Sequence, residues 1–112
     1  MENIVIIDSI SYFRDLQDRV TWHSDYIKGV VDLKNKRLSL GGSLHADGEK
    51  LLIEKLNVNN EYLWGFNLYP DQEIEYESLI NIKPKLGNKS IVIADENIRN
   101  EVKTLILNLI IF

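Results

Sequence analysis

Between Tyr26 and Leu40 the chain alternates in polarity, interrupted only by the polar run Lys34-Asn35-Lys36-Arg37. Ile27, Gly29, Val31 and Leu33 fall on one side of an extended chain, and Lys28, Val30 and Asp32 on the other. Leu38, Ser39 and Leu40 alternate again before Gly41-Gly42. Two strands joined by so short a turn pair antiparallel, and Asn35 is the residue expected to take positive φ there. The hairpin commits the rest of the chain to building a sheet and covering it.

The flanking segments supply that cover. Ile4 to Ile7 is a short continuous apolar run, the mark of a buried strand. Asp8 and Ser9 offer an N-cap, and Ile10, Phe13, Leu16 and Val20 follow at helical spacing, which predicts a helix from about Ser9 to Thr21 or His23. A second helix is expected over Ala46 to Leu56, ended by Asn57, Asn59 and Asn60. Tyr62 to Tyr69 has strand propensity, with Trp64, Phe66 and Leu68 on one face and Leu63, Gly65, Asn67 and Tyr69 on the other. After Pro70-Asp71-Gln72, the stretch from Ile74 to Ile82 alternates cleanly and predicts another strand. Asp95 and Glu96 open a last helix whose stripe is Ile98, Val102, Leu105, Ile106 and Leu109. The order is strand, helix, two strands, helix, two strands, helix. It predicts one α+β domain over 1–112, with about five mostly antiparallel strands and three helices largely on one face.

Composition narrows the function. The 112 residues carry 13 basic and 17 acidic side chains, a net charge of −4. Generic nucleic-acid or anionic-membrane binding draws its affinity from Lys and Arg, so both are disfavoured as partners. No cysteine is present, which removes disulfide frameworks, thiolate metal sites and thiol catalysis together. With two His, any metal site would be mostly carboxylate. Glu2 stands where a signal peptide carries a basic residue, and Leu105 to Phe112 falls well short of the ~20 residues that cross a bilayer. A cytoplasmic protein is the expectation.

Three stretches carry more polar specificity than folding needs. Gly41-Gly42-Ser43-Leu44-His45-Ala46-Asp47-Gly48-Glu49 joins a strand end to a helix start, where backbone N–H groups lack partners. His45 and Glu49 lie one turn apart on a helix, with Asp47 near them, and can act as acid and base or hold a divalent ion. The structural alternative is an acidic first turn and a capping His. Gly65, Asn67 and Tyr69 share a strand face that suits a ligand floor, or a central strand packed under a neighbour. Asn81-Ile82-Lys83-Pro84-Lys85-Leu86-Gly87-Asn88-Lys89-Ser90 holds three Lys and no acid, directly after a stretch from Glu61 to Glu77 with five acids and no base. Its Gly-Asn turn can aim donors at an anion, although the spacing is not that of a phosphate loop. The ladder of Glu73, Glu75 and Glu77 reads as a solvated face.

Four strings in this order resemble a family of short prokaryotic proteins that form a domain of unknown function. They are Val30-Val31-Asp32, then Gly41-Gly42-x-Leu44-His45-Ala46-Asp47-x-Glu49-x-Leu51-Leu52, then Leu63-Trp64-Gly65-x-Asn67-Leu68-Tyr69-Pro70. The last is Ser78-Leu79-Ile80-Asn81-Ile82-x-Pro84-x-x-Gly87-Asn88-x-Ser90. Such relatives often carry Arg where this chain has Lys83, so a bidentate clamp is replaced by a point charge. The resemblance supplies no activity and leaves the cofactor open.

The residues themselves point to a polar pocket for a small anionic ligand or nucleotide, with or without a divalent metal. His45 and Glu49 would be its acid/base groups, and Asp47, Asn67, Tyr69, Asn81, Lys83, Asn88 and Ser90 its binding groups. The alternative is a non-catalytic module that docks a partner or a second copy through the C-terminal helix. A third reading, a toxin-like ribonuclease, sits poorly with the acidic balance and the scarcity of Arg.

Overall fold

The computed structural model describes residues 3–112; Met1 and Glu2, on which the reading of the N-terminal leader rests, lie outside them. A five-stranded antiparallel sheet forms the frame, from β1 (Ile4–Ile7), β3 (Ile27–Asp32), β4 (Arg37–Gly41), β5 (Leu63–Leu68) and β6 (Ile74–Glu75), in the order β1-β4-β3-β5-β6. A small parallel pair, β2 (Ser11–Tyr12) with β7 (Ile110–Ile111), ties the two ends of the chain together. The helices are α1 (Phe13–Leu16), α2 (His45–Leu56) and α3 (Glu96–Leu109). No helix among the described residues is long and apolar enough to cross a membrane.

The α+β class and the antiparallel sheet are as expected, but the two long helices do not share a face. On one face Ile27, Val31, Leu38, Leu40, Trp64, Phe66 and Leu68 pack with Val102, Leu105 and Ile106 of α3. On the other, Val30, Val58 and Leu63 pack with Leu52 of α2. Covered on both sides, β5 is buried along its whole length. Gly48 sets the seat of α2: a Cβ there would lie 2.5 Å from Ser39 Oγ, so only Gly lets the helix come this close to β4.

Local chemistry explains several boundaries. Buried Asp32 accepts from Lys34 N–H at 2.9 Å, Asn35 N–H at 3.0 Å and Asn35 Nδ2 at 2.7 Å, building the hairpin turn from its first residue. Lys36, not Asn35, takes the positive φ of 57°. The Asn35 amide is occupied with Asp32, which holds its backbone in the turn. Asn57, at φ 51° and ψ 46°, ends α2 in the left-handed conformation. Asp95 caps α3 by accepting from Asn97 N–H at 2.7 Å and Ile98 N–H at 3.3 Å.

Two expected elements are shorter than their periodicity suggests. The first helix is a single turn, because Ser11 and Tyr12 pair with Ile110 and Ile111 instead of coiling. Phe13, Leu16 and Val20 are buried as the spacing required, while Ile10 is 66% exposed. Asp8, the expected cap, faces Arg37 at 3.4 Å. The strand expected over Ile74 to Ile82 stops at Glu75. Beyond it the Asn81 side chain does the pairing: its Oδ1 accepts from Gly65 N–H at 2.7 Å and its Nδ2 donates to Gly65 C=O at 3.0 Å. One amide thus stands in for a strand residue, and the backbone is free to turn through the 3-10 segment Leu79–Asn81.

Candidate functional site

His45 is the first residue of α2 and lies over β5. Its Nε2 is 2.8 Å from the Phe66 carbonyl oxygen. A carbonyl only accepts, so Nε2 carries the proton, and the neutral ring keeps its lone pair on Nδ1. Burial pushes the His45 pKa below its ordinary value, against the pull of the Phe66 carbonyl. Lys28 and His23 add to the lowering, and the Asn67 amide opposes it. Gly65 makes room for this arrangement: a Cβ there would sit 2.4 Å from Ser78 Cβ and 3.2 Å from His45 Cδ2.

Asn67 lies beside this ring at the centre of a row of cross-strand partners, Lys28 on β3, Asn67 on β5 and Glu75 on β6. Its Nδ2 donates to Glu75 Oε1 at 2.7 Å, and its Oδ1 is buried without a hydrogen-bond partner. Tyr69 packs against Tyr26 with ring centroids 5.4 Å apart, and Tyr26 against His23 at 5.1 Å. Lys28 Nζ donates to the Ser43 carbonyl at 2.9 Å.

Glu49, one turn after His45, faces a different neighbour. A groove of about 630 Å³ runs between α2 and the 79–86 segment, lined by Glu49, Asn60, Ile80, Lys83 and Lys85 among others. Lys83 Nζ donates to the carbonyls of Asn60 at 2.9 Å and Ile80 at 3.0 Å, and stands 5.1 Å from the Trp64 ring centroid. Burial lowers the Lys83 pKa, and the charge of Glu49 partly restores it. Burial raises the Glu49 pKa, and the charge of Lys83 opposes that shift. Two half-buried groups of opposite sign, both perturbed, thus face each other across an open groove.

The other expected residues serve the loop. Asn88 Nδ2 donates to the carbonyls of Asn81, Ser90 and Val92, and its Oδ1 accepts from Ala94 N–H at 2.9 Å. Asn81 spends its amide on Gly65 and on the Ile91 carbonyl. The Ser90 hydroxyl exchanges hydrogen bonds with Val92 N–H and C=O. Asp47 accepts from Leu44 N–H at 3.1 Å, a cap on its own helix, and lines a separate groove with Ile4 and Lys50. His45, Asp47 and Glu49 therefore do not converge. Among the described residues no group of three His, Cys, Asp or Glu is placed to hold a metal ion.

The single pocket expected from the sequence divides into a His45–Asn67–Tyr69 cluster and a Glu49–Lys83 groove. Lys28, Tyr26, Glu75 and Asn60 join them without having been singled out. Lys28 had a legible signal, a cation on a strand face that otherwise carries Val30 and buried Asp32. Glu75 read as one rung of a solvated ladder, and only the β5–β6 register sets it against Asn67.

Residues 5–109 match the family described as "Protein of unknown function (DUF5674)", and the chain belongs to that family. No curated protein and no solved structure matches.

Proposed function

We propose that this member of the DUF5674 family binds a small anionic ligand in the groove between Glu49 and Lys83. The observation that carries this reading is the state of the Lys83 ammonium. Two of its three donors are fixed on the Asn60 and Ile80 carbonyls, which leaves one N–H for a ligand. A half-buried cation pre-positioned in this way binds an anion with little further ordering. Lys85 adds charge at the rim, and Ile80, Ile82, Pro84 and Leu86 give the groove an apolar wall. The ligand that fits is a carboxylate or phosphate on a partly apolar body, and a volume of about 630 Å³ falls within the range of small-molecule sites. Glu49, its pKa raised by burial, is the group positioned to share a proton with such a ligand.

The test is an amide NMR titration with inorganic phosphate, citrate and AMP. Saturable shifts are expected at Asn60, Lys83 and Lys85, weakened roughly tenfold by Lys83→Met and severalfold by Lys85→Gln. Unmoved groove amides, or equal affinity in both variants, would refute the reading. A second reading, docking of another copy or a partner through the C-terminal segment, draws support from the β2–β7 pair. Ile111 of that pair is 41% exposed, Ile10, just before β2, 66%, and Leu107, on α3, 43%. Sedimentation of the chain with Leu107 and Ile111 made polar tests it; one monomeric species for both proteins would exclude self-association.

A further inference from the structure

Away from the groove, on the same sheet face, stands a second set of polar side chains. Its floor is the row Lys28–Asn67–Glu75. Past the Ile27–Leu68 pair, two residues and roughly 7 Å along the strands, Tyr26 and Tyr69 form an aromatic wall that His23 extends. His45 closes the opposite side, over Gly65 and Phe66. Lys28, His45, Tyr26, Tyr69 and Glu75 are half-buried, and they surround an Asn67 that is 5% exposed.

Asn67 is the informative residue. Its Nδ2 donates to the Glu75 carboxylate, which fixes which end of the amide is which. Oδ1 is left on the other side, buried beside the His45 ring, and no N–H or O–H donates to it while that ring is neutral. Nearly all buried acceptors in folded chains have a donor, so this one calls for a group that brings an N–H or O–H. The surrounding charge says which kind. Glu75, Glu73 and Asp25 are acidic: the pKa values of Tyr26 and Tyr69 rise through desolvation first and then through Glu75 and Asp25, and Glu73 adds to the rise at Tyr69 alone. Lys28 is the opposing cation, with its Nζ turned to the Ser43 carbonyl. Three acids against one base favour a cation, and neighbouring aromatic rings favour an organic one.

We infer that this cluster binds the primary ammonium group of an organic amine, with Asn67 Oδ1 and the Glu75 carboxylate as acceptors and Tyr26 and Tyr69 as the aromatic wall. A quaternary ammonium offers no donor and leaves Oδ1 unsatisfied. The site shares no ligand-binding residue with the Glu49–Lys83 groove, and the two stand or fall separately.

The experiment is a titration of the full chain with butylammonium chloride, tetramethylammonium chloride and sodium chloride at matched ionic strength, followed by amide NMR. Butylammonium is expected to move the Asn67 side-chain NH2 and the Tyr69 and Glu75 amides saturably, while Asn60 and Lys83 stay in place. Tetramethylammonium is expected to bind at least tenfold more weakly, and sodium chloride to move none of these signals. Glu75→Gln keeps an acceptor for Asn67 Nδ2 and removes the charge, and a roughly fivefold loss of butylammonium affinity is expected. Tyr69→Leu replaces that variant if Glu75→Gln does not fold, with a loss of similar size expected. Shifts reproduced by sodium chloride, equal binding of the two ammonium ions, or undiminished affinity in the variant that folds would each overturn the assignment.

Discussion

Replacing Asn81 by Ala should be among the most damaging single changes in this protein. Asn81 is fully buried, and its side chain makes hydrogen bonds of 2.7 Å from Gly65 N–H, 3.0 Å to Gly65 C=O and 3.2 Å to the Ile91 carbonyl. Each such bond is worth about 1 kcal/mol net, and a buried donor left unpaired costs about 1–3 kcal/mol. Asn81→Ala removes all three and orphans the Gly65 N–H, so a loss of about 3–5 kcal/mol is expected. That is a large part of the roughly 5–15 kcal/mol that holds a domain of this size together. Urea unfolding should show the loss as a lower midpoint, and Tm should fall by about 12–20 °C. Hydrogen exchange supplies the specific readout, because the Gly65 amide should lose protection more than its neighbours on β5. Asn81→Asp separates hydrogen bonding from volume. It is nearly isosteric and keeps an acceptor for Gly65 N–H, but it faces two carbonyls without a donor and should be no better tolerated than Ala. A loss below about 1 kcal/mol in Asn81→Ala, or an unchanged Gly65 exchange rate, would refute the claim that this amide replaces a strand.

Further expectations concern the same face and the hairpin. Gly65→Ala should cost about 1–3 kcal/mol by overpacking against Ser78 and His45, and adding Ser78→Gly should recover much of it in chemical denaturation. Because the folded His45 pKa lies below the ordinary 6.5, the unfolded chain takes up the proton first as pH falls. Stability should therefore drop as pH goes from 6.5 to the lowered folded value, and His45→Gln should flatten that part of the ΔG–pH curve. Asp32→Ala removes three hydrogen bonds from the hairpin turn and should cost about 2–4 kcal/mol by urea unfolding.

What the chain reveals without its fold is whatever depends on near neighbours. The β3–β4 hairpin, Asp95 as the cap of α3, Asn57 as the stop of α2 and the opposite faces of Trp64 and Asn67 all rest on spacings of a few residues. His45 and Glu49 share a helix face for the same reason, so their spacing of one turn was legible. Partners that are distant in sequence were not. The alternation from Ile74 to Ile82 is genuine, yet the strand ends at Glu75 because an Asn81 amide, 16 residues from Gly65, satisfies the edge that a backbone was expected to fill. The helical spacing of Phe13, Leu16 and Val20 buries those residues, yet the coil yields to pairing with Ile110 and Ile111 at the far end of the chain. Burial of every residue of β5 is the physical trace of helices on both faces, and an alternating reading of one strand at a time misses it. The same distance effect divides the expected pocket. Tertiary packing turns His45 toward Phe66 and sets Glu49 against Lys83, and the loop amides of Asn81 and Asn88 are spent satisfying buried backbone groups before any ligand arrives.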